Sequence, residues 1–193
     1  EAVRLRRALG NPELVSASTY SLGLAAFWSG DLPRARAAFA ESLSISRALG
    51  ESLHSAAQLF MLSVLDLLTG EVDLAEDAIL EALEIYTRVE NDHDRAACLL
   101  ILGGIAVARE SYEAAAQLFG AAEALRGDSP LERAELTVLE RFEPALESAL
   151  GSRELAEVAR IALAAALAAC DDISGRPLFA GQAALPWPAE PHF

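Results

Sequence analysis

The chain has 193 residues, 53% of them hydrophobic, and a formal net charge of −14. All 15 basic residues are arginines, and apart from Arg4, Arg6 and Arg7 they are scattered, so no basic stripe offsets the repulsion from a phosphate backbone or an anionic membrane. Alanine and leucine dominate the hydrophobic residues, and β-branched residues never alternate as in strands. The composition predicts an all-α protein that binds neither nucleic acid nor membrane directly.

Helical signals follow one another along the chain. Residues 1–9 fit the last helix of a truncated preceding unit. From there we predict helix pairs at 12–29 and 31–49, at 52–69 and 73–90, and at 92–109 and 111–126. Side chains suited to N-capping stand at Asn11, Asp31 and Ser111. Gly30 and Gly70 end the first helix of their pairs, where a left-handed residue is favourable.

These pairs repeat with a period of forty residues. A leucine followed by a small residue recurs at Leu22-Gly23, Leu62-Ser63 and Leu102-Gly103. The second helix carries an alanine and, four positions later, a bulky residue at Ala35 and Phe39, Ala75 and Ile79, and Ala115 and Phe119. Self-similarity at this period is typical of stacked helical arrays. Because such arrays present extended binding surfaces, the repeat indicates an interaction protein.

The pattern changes after the third pair. Residues 129–132, Ser-Pro-Leu-Glu, have the form of a capping box and predict a new helix start. Pro144 should kink or break that helix near Phe142, because it removes a backbone hydrogen bond. A last helix is expected at 152–170. We therefore divide the chain into repeats at 1–126, capping helices at 127–170 and a tail or linker containing prolines and aromatic residues at 171–193.

The repeat motif resembles the tetratricopeptide repeat. That family places a Leu-Gly pair on its first helix, a Gly-Asp-hydrophobic turn between the helices and Ala-x-x-x-Phe on its second helix. The first pair matches with Leu22-Gly23, Gly30-Asp31-Leu32, and Ala35 with Phe39, and the resemblance extends over about 12–126. The period of forty is longer than the usual thirty-four. The resemblance implies an antiparallel helix-pair solenoid with a C-terminal helical cap.

Units of this length also resemble the repeat region of large bacterial signalling proteins: ATP-binding LuxR-type transcriptional regulators, related regulators of antibiotic pathways and some adenylate cyclases. The sequence does not choose between a regulator and a cyclase as the parent protein. Residues 114–126 are similar to their last repeat, and residues 132–135 and 145–151 to the helix after it. In such regulators the repeats carry signal sensing and protein contacts, while ATPase and DNA-binding modules lie elsewhere. The resemblance implies that this chain is a piece of a larger cytoplasmic bacterial regulator.

If the units stack as in that family, the first helices line a concave groove. The predicted groove positions are Tyr20, Leu24, Phe27, Trp28, Phe60, Met61, Val64, Leu67, Leu68, Leu100, Ile101 and Val107, together with Gly104. An apolar groove with aromatic walls suits an amphipathic helix, a peptide or an apolar ligand. Two other interpretations stay open: the residues are core beneath other helices or a second copy, or the tail covers them with Leu178, Phe179, Leu185 and Trp187.

Other candidate sites are few. Asp66 lies within an apolar helix and should be paired, capped or partly hydrated. Residues 91–94, Asn-Asp-His-Asp, fit a capped turn better than a metal site. Cys98 and Cys170 lie in apolar stretches and are expected to be free thiols. The sequence predicts no catalytic residues, no metal site and no cofactor.

We therefore predict a non-enzymatic module of a cytoplasmic regulator that binds a protein or peptide partner in its groove. The partner is a separate protein, the chain's own tail or a second copy. In the alternative, the function is structural, and two copies form a homodimer through apolar helix faces. No uninterrupted apolar run reaches the roughly eighteen residues of a membrane helix.

Overall fold

The computed structural model describes residues 11–151. Over that stretch the chain forms seven helices and no strand. They are α1 at Pro12–Trp28, α2 at Leu32–Leu49, α3 at Ser52–Thr69, α4 at Val72–Arg88, α5 at Asp92–Ala108, α6 at Tyr112–Arg126 and α7 at 133–151. The six helices predicted for the array are confirmed to within two residues at each end. The predictions for 1–9, 152–170 and 171–193, and for Cys170, lie outside the described residues.

Consecutive helices pack as hairpins. The first hairpin is α1 with α2, the second α3 with α4, and the third α5 with α6. Helix α2 also packs on α3, and α4 on α5, so each hairpin stacks on the next, while α3 touches α5 directly. One cluster of buried apolar side chains extends from α1 to α7. The fold is an all-α helical repeat solenoid, as predicted.

The small residue after the repeated leucine lets the two helices of a hairpin approach closely. A Cβ added to Gly23 would lie 2.6 Å from Phe39 Cε1, and one added to Gly103 would lie 2.5 Å from Phe119 Cε1. The second hairpin has Ser63 at this position and the smaller Ile79 opposite, and the Ser63 hydroxyl donates a 2.7 Å hydrogen bond to the Ala75 carbonyl. Side-chain volume is therefore balanced within each hairpin.

The connections between helices use left-handed residues. Gly30, Gly50 and Gly70 have φ of 80°, 72° and 88°. At the positions forty residues after Gly50 and Gly70, Glu90 and Glu110 adopt φ of 55° and 58°. A left-handed conformation costs a residue with a Cβ about 1–2 kcal/mol relative to glycine. The turn geometry is thus retained in the third unit although the glycine is lost.

Two of the three predicted side-chain caps are confirmed. Asn11 Oδ1 accepts a 3.0 Å hydrogen bond from the Leu14 amide, and Asp31 Oδ1 accepts one of 3.2 Å from the Arg34 amide. The prediction for Ser111 is wrong: it occupies the N-cap position of α6, but its side chain makes no capping hydrogen bond. Its backbone angles nearly match those of Asp31, so a different backbone conformation does not account for the missing hydrogen bond.

Helix α7 begins later than predicted. The capping box expected at 129–132 is wrong, because the helix starts at residue 133. The cap forms one turn further on, where Glu135 Oε2 accepts a 2.6 Å hydrogen bond from the Glu132 backbone N–H. The sequence analysis therefore predicted a capping interaction at the start of this helix, but placed it three residues too early.

Of the two outcomes predicted at Pro144, a kink or a break, the break is wrong, since α7 continues to residue 151. An interior proline costs roughly 3 kcal/mol. Val138 and Leu146, on either side of the proline, are 0% and 1% exposed. Burying two such side chains contributes about 1.5–3 kcal/mol each, which is enough to hold the helix together across the proline.

Among the described helices, α3 is the one whose length and composition would also suit a membrane span, with a mean hydropathy of 1.2 over 18 residues. Its window contains His54, Gln58 and Asp66, and 56% of it is buried inside the protein. It contacts α2, α4 and α5. These contacts are those of a core helix in a helical stack.

Candidate protein-interaction site

The predicted groove residues divide into two groups by burial. Seven are buried in the core: Phe27, Met61, Val64, Leu67, Leu100, Ile101 and Val107. Five are half-buried and keep accessible apolar surface: Tyr20, Leu24, Trp28, Phe60 and Leu68. All five lie on α1 and α3, whereas the predicted positions on α5 are all buried. The accessible part of the predicted groove therefore belongs to the first two hairpins.

The third hairpin is covered because α7 packs on it. A Cβ on Gly104 would lie 2.8 Å from Val138 Cγ1, 3.0 Å from Leu67 Cδ2 and 3.4 Å from Phe142 Cδ2. The repeat places Leu24 and Val64 at the equivalent positions of the first two hairpins. Loss of this side chain in the third hairpin leaves the room into which α7 fits.

The first residue of α7 reaches back to the first hairpin. The guanidinium carbon of Arg133 lies 4.5 Å from the centroid of the Trp28 ring, which is within the range of a cation–π contact. The Phe27 ring meets Trp28 edge-on at 4.6 Å and helps fix its orientation. This contact joins the end of α1 to the start of α7 and borders the accessible groove residues.

Carboxylates lie close to this contact. Burial, together with the charges of Glu132 and Asp94, raises the pKa of Tyr20 to about 12. Desolvation likewise raises the pKa of Asp94, with a smaller contribution from Glu132, while His93 and the Asn91 amide act in the opposite direction. His93 Nε2 lies 3.9 Å from Glu132 Oε1. The carboxyl groups of Glu132 and Asp94 therefore lie near Tyr20, between α1, α5 and the start of α7.

The junction between the first and second hairpins contains a buried polar network. The Oγ of Ser16 lies 3.0 Å from that of Ser42 and 2.8 Å from that of Ser46. Gln58 Nε2 on α3 donates to Ser42 at 2.8 Å and to Ser46 at 3.2 Å. All four residues are buried, and the network links α1, α2 and α3.

The junction between the third hairpin and α7 has different chemistry. Arg126 Nη2 lies 2.8 Å from Glu135 Oε1, and the side chains of the two residues are 9% and 1% exposed. The other carboxylate oxygen of Glu135 accepts the Glu132 amide. A buried, hydrogen-bonded ion pair therefore fixes α7 on α6.

The remaining predicted positions are accounted for by ordinary contacts. Asp66 is buried and forms an ion pair with Arg36, which confirms that this acid is paired. Asn91 Oδ1 accepts a 3.2 Å hydrogen bond from the Asp94 amide, so residues 91–94 form the predicted capped turn. Cys98 is a free, buried thiol whose pKa is raised by desolvation. Within residues 11–151 no cluster of histidine, cysteine or acidic side chains could hold a metal ion.

The sequence-based prediction included capping helices after residue 126 but missed the side chains by which α7 contacts the array. Gly104 gave a signal, because the loss of a side chain from an otherwise apolar position indicates that another element approaches there. Nothing in the sequence indicated the contacts of Arg133 and Glu135, because α7 lies outside the forty-residue motif. Arg126 lies in the motif, but nothing in its pattern revealed a buried ionic partner.

The comparisons with known proteins agree with the repeat architecture. A family profile described as tetratricopeptide repeat matches residues 15–88, which cover most of α1 to α4. A profile described as a helix-turn-helix family matches residues 94–193, 100 of the 193 residues. The helix-turn-helix match covers more than half of the chain, so the chain belongs to this family, and its residues 15–88 are similar to tetratricopeptide repeats. No curated protein and no solved structure matches the chain.

The helix-turn-helix match begins inside the helical array. Its first described elements, α5 and α6, pack as a third hairpin with the same ring-on-glycine contact as the first. Helix α7 follows and packs on them through Gly104 and Arg126. The match therefore includes the element that covers the third hairpin.

Proposed function

We propose that the chain is a non-enzymatic protein-interaction module of a larger cytoplasmic bacterial transcriptional regulator, and that it binds an amphipathic helix of a partner on the accessible groove residues of α1 and α3. The observation that carries this proposal is the burial pattern. Apolar and aromatic surface stays accessible at Tyr20, Leu24, Trp28, Phe60 and Leu68, beside a hairpin on which a helix of the chain already packs. Tetratricopeptide repeats support a protein partner, and the helix-turn-helix match supports a regulatory role.

The charge distribution argues against direct DNA binding by the described residues. Helix α7 carries four glutamates and two arginines, and Arg133 lies over Trp28. A recognition helix needs basic and polar side chains facing the groove of DNA. We expect no retardation of duplex DNA by the chain at physiological salt, and salt-dependent retardation would contradict this part of the proposal.

A synthetic peptide of residues 129–151 serves as a probe for helix binding. It contains the apolar residues by which α7 packs on the helical array. We expect it to bind the full chain in trans and to slow amide hydrogen exchange in α1 and α3. Phe60→Asp should abolish binding while the far-ultraviolet circular dichroism stays unchanged. Leu80→Asp is the matched control, since Leu80 lies on α4 and is 48% exposed. Equal loss of binding in both variants would contradict a groove on α1 and α3.

The alternative function, pairing of two copies, makes a different prediction. Sedimentation equilibrium should give the mass of a monomer if the groove awaits a partner helix. A dimer that Phe60→Asp converts to a folded monomer would instead support assembly through the apolar helix faces.

A further inference from the structure

We propose that the face of Trp28 is a binding site for a basic side chain, and that the partner helix brings an arginine or lysine to it in place of Arg133. This inference rests on the proposed function, because it specifies the chemistry of the partner for the same groove. It assigns a recognition role to a contact that the fold itself already makes.

The geometry makes Trp28 suitable for this role. Its ring is half-buried and is held edge-on by Phe27 at 4.6 Å, so the orientation of its face is fixed before a partner arrives. Arg133 lies over that face at 4.5 Å but is itself exposed. Because Arg133 is the first residue of α7, its side chain can move away while the rest of the helix stays in place.

The anchoring of α7 does not depend on Arg133. The helix is fixed by the ion pair of Glu135 with Arg126 at 2.8 Å and by Val138, which is fully buried near Gly104. A competing cation therefore has to displace one exposed side chain and not the whole helix. The contact can exchange without unfolding the array.

The surrounding charge favours a cation. Glu132 directly precedes Arg133, the residue that lies over Trp28, so a carboxylate belongs to the same turn as this contact. The acidic residues outnumber the arginines by 29 to 15 over the whole chain. A basic partner is thus attracted over a distance of about one Debye length, roughly 8 Å at physiological salt, and an acidic one is repelled.

The sequence of α7 indicates which arrangement of basic and apolar residues a partner helix should have. Its basic residue, Arg133, is followed directly by an apolar stripe at Ala134, Val138 and Phe142, spaced by four residues. Ala134 and Val138 are 4% and 0% exposed. We expect the partner helix to have the same arrangement, with a basic residue immediately before apolar residues at i, i+4 and i+8. Its stripe would lie on the accessible side chains of α1 and α3.

The test measures whether binding depends on one basic side chain of the probe. The chain used in this test is a full-length variant with two substitutions. Trp187→Phe leaves Trp28 as the single tryptophan, and Arg133→Ala removes the side chain that covers the Trp28 ring. Two labelled peptides of residues 129–151 are titrated by fluorescence anisotropy, one with the natural sequence and one with Arg133→Gln. A third peptide with Arg141→Gln is the matched control, since Arg141 is an exposed arginine on the same helix.

We expect the natural and Arg141→Gln peptides to bind alike, and the Arg133→Gln peptide to bind about two- to fivefold more weakly, the ratio given by an exposed cation–π contact. The difference should vanish in a Trp28→Leu chain and persist, reduced, in a Trp28→Phe chain. Equal binding of all three peptides would overturn the cation site while leaving helix docking intact. Failure of every peptide to bind would contradict the proposed function itself.

Discussion

The first and third hairpins share one internal contact but differ in their polar chemistry. In both, a glycine of the first helix accepts a phenylalanine ring of the second, Phe39 on Gly23 and Phe119 on Gly103. At the outer junctions the chemistry diverges. In the first hairpin, Ser16 is hydrogen-bonded to Ser42 and Ser46 on α2, and these two serines accept hydrogen bonds from Gln58 on α3. The third meets α7 through the ion pair of Arg126 with Glu135.

The repeat places Ser46 and Arg126 at equivalent positions, eighty residues apart. The residues of the forty-residue motif therefore determine how the two helices of a hairpin pack on each other. The residues that vary between units determine which helix packs on the hairpin from outside. An arginine at the Ser46 position would lack a carboxylate, and a serine at Arg126 would leave Glu135 buried and unpaired. The junctions thus select their neighbours, as expected for an array in which each unit contacts only adjacent ones.

The largest expected effect is the loss of the ion pair at the third junction. Glu135→Ala leaves Arg126 buried without its partner and should lower the free energy of unfolding by about 3–5 kcal/mol. Denaturant titration followed by circular dichroism measures this loss. Glu140→Ala is the control, since Glu140 is exposed on the same helix. The double variant Arg126→Met with Glu135→Leu should recover most of the stability, and failure to do so would mean that shape matters more than charge at this junction.

The next effect tests the shared internal packing. Gly103→Ala places a Cβ against the Phe119 ring and should destabilise the chain by about 1–3 kcal/mol. Introducing the pair of the second hairpin, Gly103→Ser with Phe119→Ile, should restore much of that loss. A thermal melt compares the variants, with an expected shift of about 2–4 °C per kcal/mol for a chain of this size. A Gly103→Ala variant that melts with the wild type would contradict the close approach of α5 and α6.

A smaller loss is expected at the first junction. Ser46→Ala removes hydrogen bonds to Ser16 and Gln58 and should destabilise the chain by about 1 kcal/mol. Ser44→Ala, on the exposed side of α2, is the control. If Ser46→Ala matched Glu135→Ala in effect, the proposed difference between a neutral and an ionic junction would be wrong.

The smallest effect is a gain in stability. Glu110→Gly relieves the left-handed conformation that Gly30 and Gly70 adopt at the equivalent positions, and it should stabilise the chain by about 1 kcal/mol. Glu113→Gly, within the first turn of α6, should destabilise it by a similar amount. The two variants are compared by chemical denaturation. A loss in both would show that the Glu110 side chain makes a contact worth more than the strain.

The array could be predicted from the sequence because its signals are local and repeated. The helix pairs, the left-handed Gly30 and Gly70 and the Asn11 cap all follow from short-range rules applied along the chain. Helix α7 has no such repetition. Its start depends on Glu135, whose carboxylate serves both the cap and the ion pair with Arg126, and this dual role appears only when the two helices are placed together.

The candidate site could be predicted in part for the same reason. The forty-residue register identified the first-helix positions, but it could not distinguish Leu24, which stays half-buried, from Ile101, which is fully buried. Part of that distinction arises because α7 packs on the third hairpin at Gly104 and meets the first hairpin through Arg133. The contact of Arg133 with Trp28 joins residues more than a hundred positions apart, beyond the reach of any local pattern.

The most direct test of the account is acrylamide quenching of Trp28 emission in a Trp187→Phe chain, with and without Arg133→Gln. Arg141→Gln is the control on the same helix. If α7 reaches across to the first hairpin, Arg133→Gln should raise the quenching constant and shift the emission to longer wavelength, while Arg141→Gln changes neither. Identical quenching in all three chains would show that Arg133 does not cover Trp28, and would contradict the contact from which the cation site on Trp28 is inferred.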